Sequence, residues 1–121
     1  MKERIKSIND FVVYQKAMQL FNNFIDEDLP ILMKSLAGRE LAKNQVRSLD
    51  SLCSNMEEGF ERKAGKELKH FFVISRGSAG ESRGRYIRFS KFLPQKTVNR
   101  RVEQLNEILA MLNSLINKLR D

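Results

Sequence analysis

Glu67-Leu68-Lys69-His70 sets a carboxylate and an imidazole three residues apart. Helical bundles ligate paired iron with this Glu-x-x-His spacing, because the two side chains project from neighbouring turns. That chemistry needs two such motifs and two further inward-facing Glu residues, whereas this chain has 1 His, flanked by Lys69 and Phe71. Structural zinc fails on similar arithmetic, since 1 Cys and 1 His cannot supply four ligands. Cys53 falls within an apolar stripe with no assignable catalytic partner, and reads as a small buried hydrophobe rather than a nucleophile. Glu57 and Glu58 are adjacent, so on a helix they diverge and make a poor acid/base pair. No nucleophile elbow accompanies His70, and no phosphate-cradling P-loop occurs. The expectation is a protein without enzymatic activity, cofactor or metal.

Charge offers more. The formal charge is +7, yet residues 61 to 101 hold 12 Lys or Arg against 3 acids, so this stretch carries +9 and the remainder −2. Projected at about 100° per residue, Arg62, Lys66, Lys69, Arg76, Arg83 and Lys91 share one side of a helix, opposite an apolar seam, if that helix extends back to Arg62. Arg100 and Arg101 extend the patch. Several cations along one rod can neutralise successive phosphates and release counterions without reading any base sequence. The bland alternative is a solvated face.

Helices must carry these groups. With 121 residues, 2 Pro, 6 Gly and no sustained β-branched alternation, the chain predicts one all-α domain spanning 1–121. No apolar stretch approaches the roughly 18 residues of a membrane span, and no signal peptide is evident, so a cytoplasmic protein is expected. The first segment, residues 11 to 29, places Phe11, Tyr14, Met18, Phe21 and Ile25 on one stripe, with Ser7 and Asp10 as a capping pair and Pro30 as the stop. The second, about 39 to 60, carries Ala42, Val46, Leu49, Cys53, Met56 and Phe60, with Gly59 as a carboxyl-terminal cap.

The third segment, about 66 to 93, has the seam Leu68, Phe71, Ser75, Ser78, Ser82, Tyr86, Phe89 and Leu93. Its small middle, with Gly77, Gly80 and Gly84, predicts close approach of a neighbouring helix or subunit, or else a break. The fourth segment, entered after Pro94 with Thr97 as candidate cap, runs Val98, Val102, Leu105, Leu109, Leu112, Ile116, Leu119. Ile108, Met111 and Leu115 widen its apolar face beyond what one core requires, a surplus that oligomerisation would bury. Short connections make sequential helices neighbours, which gives an antiparallel up-down-up-down four-helix bundle.

Asn55 and Glu58, one turn apart, face a position from which Ser78 or Glu81 of the next helix could complete a polar clasp; a pocket or an intersubunit contact beside Gly77 is the alternative. The stretches Ser54-Asn55-Met56-Glu57-Glu58-Gly59-Phe60-Glu61-Arg62 and Ile74-Ser75-Arg76-Gly77-Ser78-Ala79-Gly80-Glu81, with Gln45-Val46-Arg47, resemble the four-helix bundle S23 family. Those proteins are encoded in intervening sequences of bacterial 23S ribosomal RNA genes, and relatives include the accessory variability protein of diversity-generating retroelements. The sequence departs from the family pattern at Ser48, where a second Arg is common, and at Glu57, where a small apolar residue is usual. The resemblance implies a four-helix protomer, a homopentamer and, for the retroelement branch, partnership with nucleic acid and a reverse transcriptase. Together these readings predict a non-enzymatic oligomeric bundle that binds RNA or DNA electrostatically through its basic third helix, as an accessory to RNA processing or reverse transcription; the alternative is a scaffold that docks an acidic protein partner without binding nucleic acid.

Overall fold

The computed structural model describes Ile8, residues 11–62 and residues 65–119, with 65 and 66 described by their backbone alone. Helix α1 (Val12–Asn23) passes into a π-helical turn, Phe24–Asp28, and then into the single turn α2 (Leu29–Leu32). Asn23 and Leu29 keep right-handed helical dihedrals at the two junctions, so the three pieces form the first rod of the bundle. Pro30 was expected to stop this helix, because it lacks an N–H and its ring collides with the carbonyl four residues back. The chain instead widens the turn. Leu29 N–H donates to Phe24 O, five residues back, and Pro30 sits in the first turn of α2, where no donor is required. The Ser7 and Asp10 caps lie outside the described residues.

Ser35 Oγ accepts the Gly38 N–H at 3.0 Å and opens helix α3 (Leu36–Arg62). Gly38 is required there, since a Cβ would run into the Leu32 carbonyl. Gly59 does not cap α3 but lies inside it, where a Cβ would stand 3.0 Å from Phe71 Cβ; its absence lets the next helix approach. Helix α4 (Gly65–Arg88) ends in a 3₁₀ turn, Phe89–Lys91, short of the expected Leu93. Helix α5 (Gln95–Lys118) begins directly after Pro94, so Thr97 is a helical residue rather than its cap.

Cross-links fix the order. Tyr14 reaches Glu57, Ser75 reaches Leu52 and Ser82 reaches Ser48; Arg76 reaches Asn113 and Arg83 reaches Asn106; Lys16 meets Glu107 and Asp28 meets Arg101. Wherever two links join a pair of neighbours, rising numbers on one helix meet falling numbers on the other, as in the antiparallel up-down-up-down four-helix bundle. Among the described residues no helix is long and apolar enough to cross a membrane.

The core follows the expected seams in part: Val46, Phe60, Leu68, Phe71, Val102, Leu109 and Leu119 are half-buried, while Gln45, Leu52, Phe72, Arg101 and Ile108 take buried positions. In α1 the buried stripe is Val13, Tyr14, Ala17, Leu20 and Phe24, leading to Asp28 and Leu32, while Phe11, Met18, Phe21 and Ile25 pack beside it half-buried. In α5 the surplus apolar residues are used inside the bundle: Ile108 is fully buried, and Met111 and Leu115 pack against the core. On α4 Ser75, Ser78 and Ser82 are the small residues that meet α3, Ala79 is buried beside them, and Gly77 and Gly80 look onto open space among the described residues.

Candidate nucleic-acid interface

Arg101 does not belong to the basic patch in which its charge placed it. It is 1% exposed. Its Nε donates to Asp28 Oδ2 at 2.9 Å, and Nη2 donates to Asp28 Oδ1 at 3.1 Å and to Glu27 Oε1 at 2.5 Å. Tyr86 OH donates to the same Asp28 Oδ2 at 2.5 Å. The bidentate Asp28 carboxylate, with Glu27 beside it, supplies the acceptors and counter-charge that a buried guanidinium needs, and the Tyr86 hydroxyl satisfies a remaining lone pair of Asp28. Burial pulls the Arg101 pKa down, but the bonds to Asp28 and Glu27 outweigh it and the net direction is upward. Burial and Asp28 together hold the Tyr86 phenol well above its ordinary value. This cluster ties the first rod to α4 and α5.

Arg62 also leaves the stripe. It is the last residue of α3 rather than part of α4, its Nε donates to Glu58 at 3.1 Å, and its guanidinium stands 5.9 Å from the centre of the Phe71 ring. The side chain of Lys66 lies outside the described residues, and Lys69 is half-buried on α4. Two cations of the stripe hold a defined arrangement. Arg76 Nη1 donates to Asn113 Oδ1 at 2.9 Å, and Arg83 Nη1 donates to Asn106 Oδ1 at 2.8 Å. Both acceptors are neutral amides on α5, which orient the guanidiniums without cancelling their charge. Lys91 and Arg100 are exposed, on the 3₁₀ turn and on α5.

The expected clasp forms with different partners. Asn55 Nδ2 donates to Ser51 O and Ser51 Oγ, both at 2.9 Å, and Ser78 Oγ donates to Ser51 Oγ at 2.8 Å. Ser51 thus links Asn55 to Ser78, while Glu58 turns to Arg62 and Glu81 remains exposed. Glu57, the unusual residue at its position, accepts the Tyr14 hydroxyl at 2.6 Å. Burial, then Glu57, raises the Tyr14 pKa. Cys53 is buried among these side chains, and its thiol is pushed up to about 12, first by burial and then by Glu57 and Asp50.

The same seam continues to a residue that the stripe omits. Gln45 is fully buried; its Nε2 donates to Ser82 O at 3.0 Å, and its Oε1 accepts Arg85 Nη1 at 2.8 Å. Arg85 Nη1 also donates to Ser48 Oγ at 2.9 Å, so a guanidinium does reach Ser48, delivered from the opposite helix. The signal was available: Arg85 follows Ser82 at the three-residue step that relates Ser75 to Ser78. Glu67 and His70 are exposed in the first turns of α4, with the imidazole edge-on to Phe71, and among the described residues no group of three or more His, Cys, Asp or Glu gathers to hold a metal.

An antiparallel helical bundle closed by a serine and glutamine seam, with excess cations along one helix, is the class of protein that this fold and surface define. The chain belongs to the 23S rRNA-intervening sequence protein family, whose model matches residues 9–114. It matches no curated protein and no solved structure.

Proposed function

We propose that the protein is a non-enzymatic oligomeric bundle that binds RNA or DNA electrostatically through α4, with Arg76, Arg83 and Lys91 as principal cations and Arg100 at the margin. The observation that carries this reading is the pair Arg76 and Arg83. They sit two turns apart, about 10 Å along the helix, each held by an asparagine amide and, among the described residues, neither by a carboxylate. Oriented guanidiniums with uncancelled charge suit phosphate oxygens, and such contacts position a nucleic acid without specifying its sequence. The family description, which concerns a ribosomal RNA intervening sequence, is compatible with an RNA partner.

Self-assembly belongs to the same proposal. Val73, Gly77, Gly80, Gly84 and Ile87 follow one another at steps of four and three, which sets them on one face of α4. Val73 is 38% and Ile87 57% exposed, and Gly77 and Gly80 have no neighbour within 4 Å of an added Cβ. Each helical glycine costs about 1 kcal/mol relative to Ala, and no contact among the described residues offsets that cost at Gly77 or Gly80. A second copy packed along this face would. Light scattering on the wild type and on Gly80→Leu tests it, with a smaller particle expected for the variant.

Fluorescence anisotropy with a structured RNA and a DNA duplex tests binding. The Arg76→Glu, Arg83→Glu double variant should retain its helical circular dichroism and lose affinity by about tenfold or more, as removal of charged phosphate contacts predicts. Equal affinity in that variant would overturn the α4 reading. Binding of an acidic protein with no affinity for either polymer would favour the scaffold instead.

A further inference from the structure

We propose that the groove between α3 and α4 is a seat for one phosphate group, with Arg47 and Arg85 as its cations and Ser51 as a hydroxyl donor. The groove has a volume of about 290 Å³, and these three side chains line it together with Ser78 and Glu81. It opens on the α3 side of α4, whereas Arg76 and Arg83 lean toward α5, so the seat does not depend on the surface proposed above.

Arg85 is half-buried, and its protein bonds all use Nη1: Gln45 Oε1 at 2.8 Å, Ser48 Oγ at 2.9 Å and Asn44 O at 3.5 Å. A guanidinium has five N–H donors, so those on Nη2 and Nε remain for a ligand. The three acceptors are neutral. They fix the fork in place and leave its charge unbalanced, and no carboxylate among the described residues is within ion-pairing distance of it. Burial, with Arg88 adding to it, lowers the Arg85 pKa, while the nearby Glu81 acts in the opposite sense. Arg47 is exposed on α3, on the opposite wall of the groove. Ser51 Oγ accepts from Ser78 Oγ and from Asn55 Nδ2 at once, so its own proton is directed to a third partner.

The chemistry selects the ligand. A single carboxylate is satisfied by one bidentate fork, whereas two guanidiniums on opposing walls plus a hydroxyl present donors from several directions, as a tetrahedral anion with three or four acceptor oxygens requires. Glu81 at the rim opposes the anion and sets the affinity low. A terminal phosphate of a strand, an internal phosphodiester and free phosphate share this chemistry.

The test is titration of the full-length protein with inorganic phosphate at constant ionic strength, followed by NMR of the arginine Nε–H and backbone amide signals. The seat predicts saturable shifts of Arg85 Nε–H and of the Ser51 and Ser78 amides, with Arg76 and Arg83 unmoved. Arg47→Gln, an exposed change that spares the Gln45 network, should weaken binding about tenfold, as loss of a charged hydrogen-bonding partner predicts. Arg85→Gln should abolish it, Glu81→Gln should tighten it, and the Arg76→Glu, Arg83→Glu variant should bind phosphate as the wild type does. The same short oligonucleotide with and without a 5′-phosphate separates the sources: a terminal phosphate is preferred if only the phosphorylated strand moves Arg85, an internal one if both do, and free phosphate if neither does. Uniform shifts of all arginines, no saturation, or unchanged affinity in Arg47→Gln would overturn the proposal.

Discussion

Arg101 and Arg85 reach inward from adjacent helices and are balanced in different ways. Arg101 meets a buried carboxylate in a bidentate pair, with a second carboxylate and a phenol at its edge. Arg85 meets an amide oxygen, a hydroxyl and a carbonyl, none of them charged. The first arrangement is complete within the bundle and acts as a tether between helices. The second holds a cation in position and leaves its charge for something else. Residue type and net charge are identical in the two cases, so only the partners separate a structural arginine from one available to a ligand.

Removing Asp28 is the strongest way to break this comparison. Asp28→Ala leaves Arg101 buried without its main partner and should cost about 3–5 kcal/mol in urea denaturation, whereas Asp28→Leu combined with Arg101→Met should recover most of that loss. If the single change were mild, the Arg101 cluster would not be the tether described. Gln45→Ala removes the neutral anchor of Arg85 and the donor to Ser82 O, and should cost about 1–3 kcal/mol on the same assay.

A pH series sharpens the contrast further. Burial and Asp28 raise the Tyr86 pKa above the unfolded value near 10. The stability this neutral phenol contributes is therefore fully present below about pH 10 and falls as pH rises toward its folded pKa, by about 1.4 kcal/mol per pH unit. Cys53, pushed up to about 12, acts in the same direction from about pH 9, and in the native protein at neutral pH it should not react with a thiol reagent. Unchanged urea midpoints between pH 9 and 11 would contradict both. The smallest effect belongs to the outer face of α4, where Gly80→Ala meets no neighbour. It should stabilise the isolated bundle by up to about 1 kcal/mol, seen as a slightly higher midpoint.

Periodicity made most of the bundle legible. Ser75, Ser78, Ser82 and Tyr86 were placed on the α4 seam and are buried there, as are Phe89 and Leu93 just beyond the helix, whereas Leu68 and Phe71 are half-buried and Phe72 takes the core position. The stripe of α1 was set about one residue out of phase because an acid occupies a core position, and hydrophobicity alone cannot register Asp28 as buried. Pro30 hid the continuation into α2, since the π turn that accommodates it has no simple sequence signature. Arg101 was legible in retrospect: it lies three residues after Val98 and four before Leu105, on the seam itself, as Asp28 lies between Phe24 and Leu32. Opposite charges on two seams pointed to each other. Arg76 and Arg83 were placed correctly on one helix face, but their asparagine partners lie on α5 at a register that sequence does not disclose.

The proposal that uncancelled cations on α4 meet phosphates is tested most directly by the salt dependence of RNA binding in the wild type and in Arg76→Gln and Arg83→Gln. Each substitution should reduce the steepness of log K against log salt by about 0.7 to 0.9, the contribution of one neutralised phosphate. A steepness unchanged in both variants would contradict the account.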